Sequence, residues 1–156
     1  MKILILDTTF LIDVQRMVKT NGREKARLML KKLLKQVKSV EAIWIPKTVE
    51  REFAIKDKEK KYREFLFSDI SRFLNNLGIS LKRCPIYSKN EITKIIENYP
   101  NMHGGEADAI HQALLMHSYE KYKMFEGVII SNDSKALYVC RLFGIETICI
   151  TAAELM

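Results

Sequence analysis

Two uninterrupted aliphatic runs, Ile3-Leu4-Ile5-Leu6 and Gly127-Val128-Ile129-Ile130, constrain the fold of this chain more than any other feature. A strand with one face in water alternates apolar and polar residues, whereas an unbroken apolar run must be covered on both faces. Such strands belong to parallel sheets packed between helices. Further strands are read at residues 42–45 and 146–150, with a short edge strand at 79–81.

Between the strands, apolar residues recur at intervals of three and four. Over residues 23–38, Ala26, Met29, Leu30, Leu33, Leu34 and Val37 form one face of a helix and lysines fill the other. Tyr62, Phe65, Leu66, Ile70, Phe73, Leu74 and Leu77 repeat the spacing, with Gly78 as the stop. Shorter helices are expected over 91–99, stopped by Pro100, over 105–119, and over 135–143, closed by Gly144. Strands interleaved with helices predict a three-layer α/β/α fold around a central, mostly parallel sheet. The length is that of one ordinary domain, and no repeat or linker divides residues 1–156.

Lys and Arg number 26 against 19 Asp and Glu, a formal charge of +7, which suits a polyanionic partner. Cys84, Cys140 and Cys149 are an odd set without CxxC spacing. They argue against a disulfide framework or zinc knuckle and fit a reducing, cytoplasmic setting. The apolar start is too short for a signal peptide or membrane span.

In open parallel sheets, ligands bind outside the carboxyl ends of the strands, so the acids at those ends matter most. Asp7 directly follows the first aliphatic run, and Asp133 follows the second in Ser131-Asn132-Asp133-Ser134. Either alone is a good helix N-cap. A third acid, Glu52, lies in a helix that starts after Pro46, although Glu50 competes for its role. Gly104-Gly105-Glu106-Ala107-Asp108 opens another helix with small residues that permit close backbone approach. Glu106 and Asp108 are two apart and cannot share one helical face, so both stay open. Four strand-to-helix junctions thus carry a carboxylate. Carboxylates gathered together repel and take up protons unless a cation neutralises them. Oxygen-rich sites suit Mg²⁺ or Mn²⁺.

The ordered set Leu6-Asp7-Thr8-Thr9, Val49-Glu50-Arg51-Glu52-Phe53, Gly105-Glu106-Ala107-Asp108-Ala109 and Ser131-Asn132-Asp133-Ser134-Lys135 resembles the PIN-domain nucleases. The match spans essentially the whole chain and is similar above all to the compact VapC-like toxins. The resemblance implies a ribonuclease dependent on Mg²⁺ or Mn²⁺ with Asp7, Glu52 and Asp133 at metal positions. It assigns the third family position to Glu106 or Asp108. It also implies that Thr9 hydrogen-bonds a carboxylate or metal-bound water, with Ser131 and Asn132 in supporting places. An RNA substrate, a small antitoxin chain and a homodimer follow from the same resemblance, as does the alternative of RNA processing.

Other readings bear on the same residues. A haloacid-dehalogenase-type phosphatase would want an Asp where this chain has Thr9, and no glycine-rich nucleotide loop follows the first strand. A non-catalytic RNA-binding module is the non-enzymatic alternative. His103, His111 and His117 lack the spacing of a helical zinc site, though His103 stands beside the glycines. Asp13 reads as a surface or helix-orienting residue, and Tyr119 and Tyr122 as half-buried rings or base-stacking platforms. Lys56-Asp57-Lys58-Glu59-Lys60-Lys61 is a weak, mixed-sign track, and Met29, Met116 and Met124 read as core or interface filler.

Overall fold

The computed structural model describes residues 1–57, 61 and 64–155. Five strands, β1 (Lys2–Leu6), β2 (Val40–Ile45), β3 (Ser80–Arg83), β4 (Glu126–Ser131) and β5 (Glu146–Cys149), form one wholly parallel sheet in the order β3-β2-β1-β4-β5. Leu4 pairs with Ile43 on one side and Val128 on the other, which puts the two aliphatic runs at the centre of the sheet.

The period-two alternation of β1 sends its side chains into two separate cores. Leu4 and Leu6 join Ile43, Ile45, Val128 and Ile130 beneath α1 (Thr8–Asn21), α2 (Arg23–Gln36), α3 (Lys47–Lys56) and α4 (Ser71–Asn76). Ile3 and Ile5 join Trp44 and Ile129 beneath α5 (Lys89–Asn98), α6 (Gly104–Leu115) and α7 (Ser134–Leu142). Three layers result, as the unbroken strands require.

The connections run from β1 outward through β2 to β3 and, after a return, outward again through β4 to β5. The direction therefore reverses between β1 and β4. At such a switch point the loops leave to opposite sides and open a crevice beyond the carboxyl ends of the strands. Asp7 and Asp133 stand at that crevice.

Several element boundaries differ from those read in the sequence. The segment before Gly78 is a π-helix over Glu64–Ile70 that becomes α4 at Ser71. A π turn takes an extra residue, so a single 3.6-residue period does not run through Glu64–Ile70 into α4. Ile70 and Leu74 are buried as expected, Leu77 is exposed, and Tyr62 lies outside the described residues. α6 ends at Leu115 and not near residue 119; short 3₁₀ turns follow, and Tyr122 packs edge-on against Trp44 at 4.9 Å. The edge strand is Ser80–Arg83, one residue later than read at its start and two at its end. Gly78 and Gly144 end their helices with φ of 77° and 75°, the left-handed region open to glycine.

Met29 and Met116 lie in the core, but Met124 is exposed. Of the two readings of Asp13 the structure favours the helix-orienting one: its Oδ2 accepts the Ala152 amide at 2.6 Å and ties the last turn to α1. Lys58, Glu59 and Lys60 of the mixed-charge track lie outside the described residues. All three cysteines are free thiols. Among the described residues, no helix is long and apolar enough to cross a membrane.

Candidate functional site

Asp7 is buried at the point where β1 hands over to α1. Its Oδ1 accepts the Thr8 amide at 2.9 Å, so it caps α1. Its Oδ2 accepts the Ser131 hydroxyl at 2.8 Å and the Thr9 hydroxyl at 3.1 Å. The Ser131 Oγ in turn accepts the Asp133 amide at 3.0 Å. One hydroxyl therefore joins the two strand-end acids across the switch point. The Asn132 side-chain amide donates to the Thr9 carbonyl at 3.4 Å and closes the bracket.

Asp133 caps α7 by accepting the Lys135 amide at 3.0 Å. Capping and convergence are thus not rival explanations here. Each aspartate gives one oxygen to a helix N-terminus, and that bond fixes where the carboxylate stands.

Two glutamates reach the crevice from separate helices. Glu52 comes from α3, and its buried Oε1 has no hydrogen-bond partner. Burial raises its pKa, the Gly105 amide opposes this, and repulsion from Asp7 adds to the rise. Glu106 comes from the first turn of α6, where its Oε2 accepts the His103 amide at 3.3 Å. Burial, then repulsion from Asp7, pushes it up to about 7, and Asp133 contributes in the same direction. Asp7 is itself raised by burial, against the hydrogen bonds from Ser131, Thr8 and Thr9, and further by Asp133. The four acids Asp7, Glu52, Glu106 and Asp133 therefore act on one another electrostatically, with Asp7 in common.

Asp108, the alternative to Glu106, faces elsewhere. It is fully buried, with Oδ2 accepting the Thr48 amide at 3.0 Å and Oδ1 accepting the Gln112 side chain at 2.9 Å. The N-cap of α3 is Pro46, whose side chain makes no capping hydrogen bond. Asp108 supplies that acceptor from the neighbouring helix. It fixes α3 against α6, and hence Glu52 against Glu106, from outside the cluster. Glu50 also points away, gripping Arg83 Nε at 2.9 and 3.1 Å.

Gly105 is what lets α3 and α6 approach so closely. A β-carbon there would overlap Glu52 Oε1 and stand 3.1 Å from both Thr8 Oγ1 and Val49 Cγ2. The sequence marks this position only as one of two small residues.

Of the histidines, exposed His103 favours the charged forms of Glu52 and Glu106. His111 is buried away from the cluster with neither ring nitrogen partnered, and burial lowers its pKa. The side chain of His117 lies outside the described residues. An open groove of about 560 Å³ runs beside the acids between Tyr99, Met102, His103, Glu106, Asp133 and Lys135. The lysine in it carried no role in the sequence reading.

Carboxylate oxygens alone, one of them a buried acceptor without a partner, are the donor set of a hard divalent cation. Among the described residues, no three acidic, histidine or cysteine side chains already stand as a finished ligand set. The helix caps and hydroxyls hold the aspartates in place. The longer Glu52 and Glu106 have the torsional freedom to close on them. The residues fit the cation in chemistry, with that closure required. No protein-family model matches the chain, and no curated protein is similar to it in sequence.

Proposed function

We propose that the chain is a PIN-like ribonuclease that hydrolyses RNA phosphodiester bonds with Mg²⁺ or Mn²⁺. The observation that supports it is the meeting of Asp7, Glu52, Glu106 and Asp133 at the switch point of a parallel sheet, with Glu106 pushed up to about 7. Like charges brought together in a buried crevice fit a protein that binds a counter-cation there.

These four residues would hold the cation, which when bound supplies charge neutralisation at phosphorus and a water of lowered pKa. The chain's own groups prepare that place. Ser131 and Thr9 orient Asp7, and helix N-termini orient Asp7 and Asp133. Asp108 holds α3 and α6 in register. Exposed Lys135 and His103 line the groove on the side from which a phosphate backbone would arrive. RNA, and not DNA, as the substrate rests on the PIN resemblance, as do a small antitoxin and self-association as partner readings.

Incubation of the purified chain with RNA and with single-stranded DNA, in Mn²⁺ and in EDTA, tests the reading. Cleavage of RNA in Mn²⁺ that EDTA and Asp7→Asn both abolish, with the variant folded, is the expected result. A wild type that cleaves neither polymer in Mn²⁺ leaves the binding-module alternative. Copurification with a small coexpressed partner chain would give the toxin role its support.

A further inference from the structure

A second groove, of about 600 Å³, opens along the far side of α3 from the acids. Lys47, Glu50, Arg51 and Ile55 recur along one stripe of that helix, and Arg83 at the end of β3 forms part of the opposite wall. The groove therefore lies at the carboxyl ends of β2 and β3, on the same sheet edge that carries Asp7 and Asp133 at β1 and β4. Lys47 and Glu52 are five residues apart on one helix, about 7.5 Å along its axis.

The charges in this groove are unevenly committed. Glu50 is neutralised by Arg83, whose guanidinium also lies 4.1 Å from the centre of the Phe67 ring. Lys47 and Arg51 have no acidic partner among the described residues. Both converge on one ring beside the groove, that of the partly exposed Tyr87, at 4.7 and 5.9 Å from its centre. Two like charges gathered at an aromatic face without a counter-ion make a place for an anion that carries a flat group. A phosphate and its neighbouring base have that chemistry, and only an unpaired strand leaves its bases free to stack. Tyr119 and Tyr122, the rings singled out in the sequence, are engaged with each other, and Tyr122 with Trp44.

We propose that this groove is a subsite for single-stranded RNA, with a phosphate between Lys47 and Arg51 and a base on Tyr87. The identity of the polyanion rests on the ribonuclease reading; the existence of the subsite does not. The subsite would hold the strand on one side of the bond to be cut, while the helix that carries it presents Glu52 to the other side.

Fluorescence anisotropy with a labelled oligouridylate of about ten nucleotides, in EDTA so that binding alone is read, tests it. Tyr87→Ala is expected to weaken binding about five- to a hundredfold, with Tyr87→Phe close to wild type. The double variant Lys47→Gln/Arg51→Gln is expected to flatten the log–log salt dependence by about 0.7, the slope of the one phosphate the pair would neutralise. Wild-type affinity and salt slope in these variants would overturn the subsite, as would a wild type that binds no RNA. Preference for polyglutamate over RNA would overturn it too, in favour of an acidic protein segment. A wild type that binds RNA through Tyr87 yet cleaves none in Mn²⁺ sinks the ribonuclease reading and leaves the subsite standing. One that cleaves RNA while the groove variants bind normally does the reverse.

Discussion

Gly105 and Glu52 stand so close that the glycine's missing β-carbon is the space the glutamate's carboxylate occupies. Alanine at this helical position gains up to about 1 kcal/mol in helix propensity over glycine. Against that, the new methyl must displace Glu52 Oε1, the far end of a flexible side chain, and press on Thr8 and Val49. The two effects nearly offset in stability but not in chemistry. Gly105→Ala is expected to melt within a few degrees of wild type while losing cation-dependent cleavage at least about tenfold. Unchanged cleavage in a folded Gly105→Ala would remove Glu52 from the site.

Asp7 and Asp108 are both buried, yet opposite consequences are expected on neutralising them. Asp7 is buried and lies among other acids, so Asp7→Asn relieves first the cost of a buried charge and then the repulsion, and is expected to abolish cleavage while raising Tm in EDTA. Asp108 caps α3 through the Thr48 amide, so Asp108→Ala forfeits a buried acceptor, at about 1–2 kcal/mol. Its expected effect is a lower Tm, with Asp108→Asn cleaving RNA at a rate near wild type per folded molecule. Differential scanning fluorimetry beside the cleavage assay separates the pair, and an inactive but fully stable Asp108→Asn would return Asp108 to the cluster.

Much of this site was legible in the sequence, for identifiable reasons. The unbroken runs at Ile3–Leu6 and Gly127–Ile130 demanded a doubly covered sheet, and Asp7 and Asp133 follow those runs directly. Their place at the crevice was therefore fixed by position alone. The choice of Glu106 over Asp108 was not legible, because two residues two apart differ only in which neighbour each helix face meets. That depends on how α6 packs against α3. The π-helix before Ser71 escaped because Ile70, its last residue, and Leu74 of α4 are both buried and keep an ordinary helical spacing of four. Tyr87 escaped because Lys47 and Arg51 reach it from another element, which no local pattern records.

Ser131 carries two buried obligations with one oxygen, donating to Asp7 and accepting from the Asp133 amide. Removing it leaves a carboxylate oxygen with one partner fewer and a backbone N–H with none in its place. Ser131→Ala is expected to destabilise the fold by about 1–3 kcal/mol and to weaken Mn²⁺ affinity, because Asp7 and Asp133 lose their common tie. Ser131→Thr keeps the hydroxyl and is expected to preserve Mn²⁺ affinity. Isothermal titration with Mn²⁺ reads this directly, and equal affinities for Ala and wild type would make the hydroxyl irrelevant to the site.

The acids also set how stability responds to pH. Glu106 titrates near 4.5 when unfolded and is pushed up to about 7 in the fold, chiefly by burial and then by Asp7. Between those values the folded chain holds the extra proton, so stability falls as pH rises through the window, by on the order of 1–3 kcal/mol. Asp7 and Glu52, also raised, act in the same direction. Buried His111 acts oppositely: its lowered pKa costs stability as pH falls below its ordinary 6.5. The cluster is therefore isolated by comparing wild type with Asp7→Asn, since both keep His111. In EDTA, wild type is expected to lose several degrees of Tm relative to the variant between pH 5 and pH 8. Mn²⁺ is expected to cancel that loss, because the cation binds the deprotonated acids, and Mn²⁺ affinity read by isothermal titration is expected to fall as pH drops below about 7 and protons compete for Glu106. Parallel Tm–pH curves for wild type and Asp7→Asn would mean that the four carboxylates do not share a field, and the cation site would go with them.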